Sequence, residues 1–135
     1  MLTDNSLTVS DSYANVNVTG SVYVGGFVGY MGSGRFSNCA SEGKVSATSQ
    51  FMAHVGGFIG RLEGYNNVVS RCSAKCQVEC AATGGNAFAG GFVGKTVGGT
   101  YGSVYSDCVY YKSVCNLDRI GNPSTGRGDG ISAVK

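Results

Sequence analysis

The chain has 135 residues, room for one domain, and combines 23 Gly with 1 Pro and no Trp. Its net charge of +2 comes from 10 basic and 8 acidic residues spread along the chain, so we expect no nucleic-acid partner. No apolar run approaches the roughly 20 residues that span a bilayer, so we expect no membrane insertion.

The bulky residues are mostly Val, Tyr and Phe, which favour strands. No window shows the apolar period of about 3.6 residues that indicates an amphipathic helix. The composition therefore predicts an all-β protein.

One glycine-rich phrase occurs three times. Gly-Gly-Phe-Val-Gly at 25–29 is followed by Gly-Gly-Phe-Ile-Gly at 56–60 and Gly-Gly-Phe-Val-Gly at 90–94, so the starts lie 31 and 34 residues apart. Self-similarity at such a period is typical of stacked repeats.

A second marker recurs between these phrases. It begins at a serine in each copy: Ser10, Ser37, Ser70 and Ser106. Two residues later the last three copies have a cysteine: Cys39, Cys72 and Cys108. Eight residues after the serine comes a valine: Val18, Val45, Val78 and Val114. The spacing between the two markers varies, as it does when paired strands keep their register and loops differ in length.

These markers predict a parallel β-solenoid, a right-handed β-helix of about three to four turns over residues 1–116, with two or three short strands in each turn. Residues 117–135 are expected to form a turn-rich tail or partial cap, with Ile131 and Val134 packing back. Equivalent residues would stack in three ladders, one of Phe27, Phe58 and Phe92, one of the four valines and one of the three cysteines. The glycine pairs would lie at corners that need a positive φ or a close backbone approach.

The same alignment places Glu42 one turn from Lys75, and Arg71 one turn from Asp107. Opposite charges on neighbouring strands are mildly stabilising, so both pairs are expected to support the register.

The six cysteines leave three interpretations open: buried reduced thiols, one or more disulfides, or a metal site. Cys80 and Cys115 are the best candidate pair for a disulfide. Cys72, Cys76 and Cys80 are spaced too widely along one strand for a tetrahedral zinc site unless a corner lies between them, so we assign no metal ligands.

Catalytic chemistry is poorly supported. No two acidic residues share a column on neighbouring turns, and the single histidine, His54, is expected to be exposed in a loop. We therefore expect a non-enzymatic protein without a cofactor.

Two features could contact a partner. Arg127, Gly128 and Asp129 spell the integrin-binding tripeptide in a glycine-rich tail. Outward tyrosines offer a flat apolar ring with a polar tip to a partner: Tyr13, Tyr65, Tyr101 and Tyr111.

The glycine phrase followed by Ser-x-Cys stretches, over roughly residues 7–116, resembles the GLUG-motif repeats of bacterial surface and adhesin-like proteins. The chain departs from the usual pattern by having Phe for Leu at the third position of the phrase and by its six cysteines. The resemblance implies a surface-exposed stalk or adhesive module and supplies no catalytic residues.

We therefore predict a structural or adhesive module of a bacterial cell-surface protein that presents loops to a protein or glycan partner. The alternative is a carbohydrate-binding module that uses outward Tyr and Asn on one solenoid face. The N-terminus lacks the features of a signal peptide, so either the protein stays inside the cell or the chain is a segment of a longer exported protein. We favour the second interpretation, which places it outside the cell or on the cell surface. Unpaired strand edges at the end turns favour neighbouring domains in the parent chain, or end-to-end self-association if the segment is isolated.

Overall fold

The computed structural model describes residues 2–3, 7–63, 67–82, 86–97, 104–121 and 130–134. Within these ranges all elements are β-strands except one short helix, and the strands pair in parallel. The prediction of an all-β protein is confirmed.

The first strands in chain order are β1 (Leu2–Thr3), β2 (Thr8–Ser10), β3 (Tyr13–Asn15), β4 (Val18–Gly20), β5 (Tyr23–Gly25), β6 (Val28–Met31), β7 (Arg35–Ser37), β8 (Ala40–Ser49) and β9 (Met52–Gly56). The remaining elements are β10 (Ile59–Leu62), β11 (Val68–Ser70), β12 (Ser73–Ala82), β13 (Asn86–Gly90), β14 (Val93–Thr96), β15 (Val104–Ser106), β16 (Cys108–Tyr111), the helix α1 (Lys112–Cys115) and β17 (Ile131–Val134).

The strands form four sheets. Sheet A contains β1, β6, β10 and β14; sheet B contains β2, β7, β11 and β15; sheet C contains β3, β4, β8, β12, β16 and β17; sheet D contains β5, β9 and β13. We call β2 to β6 repeat 1, β7 to β10 repeat 2 and β11 to β14 repeat 3. Each repeat visits sheets B, C, D and A in that order, so a repeat has four strand positions where the sequence predicted two or three.

The pairing register joins equivalent residues of successive repeats. Ser10 pairs with Ser37, Ser37 with Ser70, and Ser70 with Ser106. The valine column pairs Val18 with Val45 and Val45 with Val78. The first glycines of the three phrases are paired in the same way. Residues that the sequence aligned in one column are therefore backbone pairing partners in adjacent repeats.

The phenylalanines of the glycine phrases stack on one another. The ring centroids of Phe27 and Phe58 lie 4.9 Å apart with an interplanar angle of 4°, and those of Phe58 and Phe92 lie 5.1 Å apart at 11°. Phe58 and Phe92 are fully buried, and Phe36 and Tyr105 meet the stack edge-on. This stack lies in the larger of two apolar clusters.

The glycine pairs allow a close backbone approach at the corner between sheets D and A. A Cβ on Gly56 would overlap the carbonyl oxygen of Ile59, and a Cβ on Gly57 would overlap that of Gly91 in the next repeat. None of the paired glycines has a φ in the left-handed region, so close backbone approach is the one of the two predicted reasons that applies.

The left-handed corners lie between sheets B and C instead. The residue after each marker serine has a φ of 51° to 53°, in every copy: Asp11, Asn38, Arg71 and Asp107. A short polar side chain tolerates this conformation, and Asn38 Nδ2 donates a hydrogen bond to Asp11 Oδ1 at 2.7 Å, from one repeat to the next.

Val114 does not belong to the valine ladder. It lies in α1 and is 37% exposed, whereas Val45 is fully buried. A helix advances about 1.5 Å per residue and a strand about 3.3 Å, so the turn of helix that follows β16 stops the chain short of the column. The ladder ends at Val78.

The backbone pairing of the glycine phrases continues into residues 118–121 of the tail. The N–H groups of Phe92 and Val93 both donate to the carbonyl of Arg119, as those of Phe58 and Ile59 donate to the carbonyl of Phe92. Ile120 then bridges Val93 in parallel and is buried. β17 extends sheet C beyond β16 and buries Ile131. Arg127, Gly128 and Asp129 lie outside the described residues.

Truncating the central ring of the stack should strongly destabilise the protein. We expect Phe58→Ala to lower the free energy of unfolding by about 3–5 kcal/mol, because it removes buried surface and leaves a cavity between two rings. Urea denaturation followed by circular dichroism measures this change.

Phe51, 77% exposed in the loop between β8 and β9, provides the matched control. Phe51→Ala should change the unfolding free energy by no more than about 0.5 kcal/mol. If Phe58→Ala prevents folding, Phe58→Leu gives the milder loss. Equal effects of the alanine substitutions at both positions would contradict the stack.

Candidate functional site

Two rows of side chains lie side by side along sheets D and A, on either side of the glycine corner. The first row occupies sheet D, two residues before each Gly-Gly pair: Tyr23, His54 and Phe88. The second occupies sheet A, directly after the last glycine of each phrase: Tyr30, Arg61 and Lys95. We call these six residues with Glu63 the aromatic–cation patch.

Ring contacts connect the first row. The His54 ring centroid lies 5.3 Å from that of Tyr23 and 5.4 Å from that of Phe88. The cations of the second row lie over these rings, with Arg61 Cζ 5.1 Å from the Tyr23 centroid and Lys95 Nζ 4.2 Å from the Phe88 centroid. Such contacts are favourable because the face of an aromatic ring is electron-rich.

The carboxylate of Glu63 accepts hydrogen bonds from two side chains of the patch. Arg61 donates to Glu63 Oε2 through Nε at 3.1 Å and Nη2 at 2.9 Å, and its Nη1 donates to the hydroxyl of Tyr23 at 3.3 Å. The hydroxyl of Tyr30 donates to the same Glu63 oxygen at 3.2 Å. Arg61 is therefore held in place on two sides.

His54 is not the exposed loop residue that the sequence predicted. It lies in β9 and is 1% exposed, and neither ring nitrogen has a hydrogen-bond partner. Burial, together with the nearby positive charges of Lys95 and Arg61, lowers its pKa from 6.5 to about 4. The ring is therefore neutral at pH 7.

Sequence reasoning missed this patch although a signal for it was present. An aromatic ring occurs two residues before each Gly-Gly pair, in Tyr23 and Phe88 as well as His54. Reading that column as continuous would have placed the histidine in a strand between two rings.

The cysteine column is buried, and its thiols bond to the backbone. Cys39, Cys72 and Cys108 each donate to the carbonyl of the residue two positions earlier, at 3.3 to 3.5 Å. The hydrogen bond with Cys108 and then burial raise the pKa of Cys72, and burial raises that of Cys76. A protonated buried thiol is a poor nucleophile.

The candidate pair Cys80 and Cys115 is not bonded in this structure, in which all six cysteines are free. Cys115 lies in α1 and its thiol contacts the carbonyl of Tyr111 at 3.7 Å, while Cys80 contacts that of Ala53 at 3.6 Å. The pairing assumed that the strand register continued to Cys115, and the helix interrupts it.

Sheet C carries a separate polar surface. Glu42 and Lys75 are paired in register as predicted, but Glu42 accepts a hydrogen bond from the Tyr13 hydroxyl at 2.7 Å and Lys75 lies over the ring of Tyr111. The ion pairs in the described parts of the chain are others, Lys44–Glu79 and Arg61–Glu63. Tyr65 and Tyr101 lie outside the described residues.

Within the described ranges, no three His, Cys, Asp or Glu side chains are arranged to hold a metal ion. None of the described helices is long and apolar enough to cross a membrane.

The matched repeat lies in the first half of the chain. Residues 20–46, which include the first glycine phrase and the Ser-x-Cys stretch of Ser37 and Cys39, match the family model described as the GLUG motif. The chain carries a GLUG-motif repeat. The resemblance to GLUG-motif repeats is thereby confirmed for residues 20–46, and the pairing register relates the other glycine phrases to the matched one. Searches of curated proteins and of solved structures returned no match.

The neutral, buried His54 should make stability depend on pH. The unfolded chain binds a proton at His54 below pH 6.5, whereas the folded chain does so only below about pH 4. Stability should therefore fall by roughly 3 kcal/mol as the pH drops through this window. Urea denaturation at a series of pH values measures the loss.

His54→Phe is the comparison variant, because Phe88 already occupies the same column in the next repeat. The carboxylates titrate in both proteins, so the difference between them isolates the histidine. Identical pH profiles for the two proteins would show that His54 contributes nothing to the pH dependence.

Proposed function

We propose that this GLUG-motif chain is a non-enzymatic structural and adhesive module of a bacterial cell-surface protein, which presents loops to a partner. The family match supports a repeat module, and repeat modules commonly act as part of a longer protein. The proposed location outside the cell is what the family resemblance implies.

We further infer that the repeats form a right-handed parallel β-solenoid of three to four turns. The constant order of sheets B, C, D and A in successive repeats supports this architecture. So does the ring stack, since Phe27, Phe58 and Phe92 are spaced as parallel strands are, about 4.8 Å apart.

The observation that carries the proposal is that loops grow while the strands keep their register. The connections from sheet A to sheet B cover residues 32–34, 63–67 and 97–103, so each is two residues longer than the one before. The strands on both sides of these connections stay paired residue by residue. A scaffold that tolerates loops of free length is suited to presenting them.

One described loop already exposes a large apolar residue. Phe51, at the tip between β8 and β9, is 77% exposed. Exposed aromatic side chains contribute strongly when a protein partner covers them. We therefore assign Phe51 as a contact residue for a protein partner.

A carbohydrate-binding function is the second candidate. Tyr13 is 60% exposed at the open edge of sheet C, and its hydroxyl is oriented by Glu42. Asn15 and Asn17 are exposed along the same edge. A flat ring beside amide groups is a surface on which a sugar can stack and form hydrogen bonds.

The test applies the purified chain to arrays of immobilised extracellular proteins and of glycans. For the module we expect saturable binding to a protein, weakened roughly tenfold by Phe51→Ser and unchanged by Tyr13→Ala. Binding to a glycan that Tyr13→Ala abolishes and Phe51→Ser leaves intact would favour the second candidate. Turnover of an arrayed glycan or protein would overturn the non-enzymatic assignment, and binding to neither array would contradict both candidates.

We also propose that the isolated chain self-associates end to end, with its N-terminal end at the contact. There β2, β3, β4 and β5 are paired on one side only, and Val9 and Phe27 are half-buried where their neighbours Phe36 and Phe58 are fully buried. Unpaired strand edges favour such association.

Light scattering after size-exclusion chromatography should show dimers. Thr8→Lys on β2 should dissociate them, and the matched control Thr48→Lys on β8 should leave them intact. A monomer at every concentration would contradict this.

A further inference from the structure

The aromatic–cation patch places two positive charges in one column. Arg61 on β10 and Lys95 on β14 are directly paired in register. Like charges at such positions repel each other unless an anion compensates them. The fold therefore contains an unfavourable pair of like charges in adjacent repeats.

Glu63 compensates only one of the two cations. Its Oε2 lies 2.9 Å from Arg61 Nη2 and also accepts from the Tyr30 hydroxyl. Among the described residues, no carboxylate is ion-paired with Lys95, whose ammonium group lies over the Phe88 ring. The patch thus keeps one excess positive charge at its Lys95 end.

His54 supplies an independent second observation. It is 1% exposed between the Tyr23 and Phe88 rings, and both of its ring nitrogens lack a hydrogen-bond partner. A buried donor without a partner is costly, so folded proteins rarely retain one. A ligand that accepts a hydrogen bond from His54 would satisfy it.

We propose that Lys95, Arg61 and His54 form a binding site for an oxyanion, such as the sulfate or carboxylate group of an acidic sugar. The anion would lie between the two cations, where it relieves their repulsion and accepts a hydrogen bond from His54. Lys95 is the movable part, since its flexible side chain covers Phe88 and must swing aside to admit the anion.

Binding of the anion is coupled to protonation of His54. The groups that face His54 are Lys95 on β14, Arg61 on β10 and the ring of Tyr23 on β5, while Glu63 is engaged by Arg61. The charges of β8 and β12 include the Lys44–Glu79 ion pair on the outer side of sheet C. An anion beside His54 offsets the two cations and favours its protonated form, so affinity should rise as the pH falls.

His54 is the only histidine in the chain, so its ring protons give a single set of NMR signals. The protein is titrated with sodium sulfate and with a sulfated disaccharide, each at constant ionic strength with sodium chloride as the balancing salt. We expect both ligands to shift the His54 signals saturably and to raise its pKa. Tighter binding of the disaccharide would identify a sugar-borne anion as the source, and equal affinity would identify the free ion.

Lys95→Gln should weaken sulfate binding roughly tenfold, because it removes a charge-assisted contact. The matched control is Lys44→Gln, which removes an exposed lysine from sheet C and should bind sulfate as the parent does. Circular dichroism verifies that both variants fold. The proposal is overturned if sulfate and the sulfated sugar leave the His54 signals unmoved, if chloride moves them equally, or if Lys95→Gln binds as tightly as Lys44→Gln. These outcomes do not depend on the array experiment, so the two proposals can fail separately.

Discussion

Parallel backbone pairing between equivalent residues of successive repeats is the constraint on which the other features depend. It requires strands from different repeats to approach closely at one corner, and only glycine leaves room there. A Cβ on Gly56 or Gly57 would overlap backbone oxygens of its own turn or of the next repeat. Once the glycine pairs fix the corner, the residue that follows them must fall in one column, and in this chain that residue is Phe27, Phe58 or Phe92.

In-register stacking places equivalent side chains of successive repeats next to one another, whether their contact is favourable or unfavourable. It turns a phenylalanine into a ring stack and a cysteine into a row of buried thiols, which need no disulfide to contribute to the core. It also brings Arg61 directly beside Lys95, where the charges repel. The aromatic row next to them and the single carboxylate of Glu63 offset part of that repulsion, and the unpartnered nitrogens of His54 mark where an external anion can offset the rest.

The sequence predicted the columns well because the glycine phrase and the marker serine recur in successive copies at similar spacings. It predicted the local conformation less well. The left-handed corners are at Asp11 and Asn38 rather than at the glycine pairs, since close approach and positive φ are separate reasons for a special residue. Val114 and Cys115 were misplaced because four residues of helix after β16 interrupt the spacing. His54 was misjudged because a polar residue beside a glycine corner resembles a loop, and only its neighbours in the column reveal a buried strand position.

Contacts among the three stacked phenylalanine rings test the central claim most directly. Selective labelling of phenylalanine simplifies the NMR spectrum, and nuclear Overhauser effects report ring protons that are close in space. We predict strong effects between Phe27 and Phe58 and between Phe58 and Phe92, whose centroids are 4.9 and 5.1 Å apart, and none between Phe27 and Phe92. Absence of either neighbouring contact, or a direct contact between the outer two rings, would contradict the in-register stacking of the repeats.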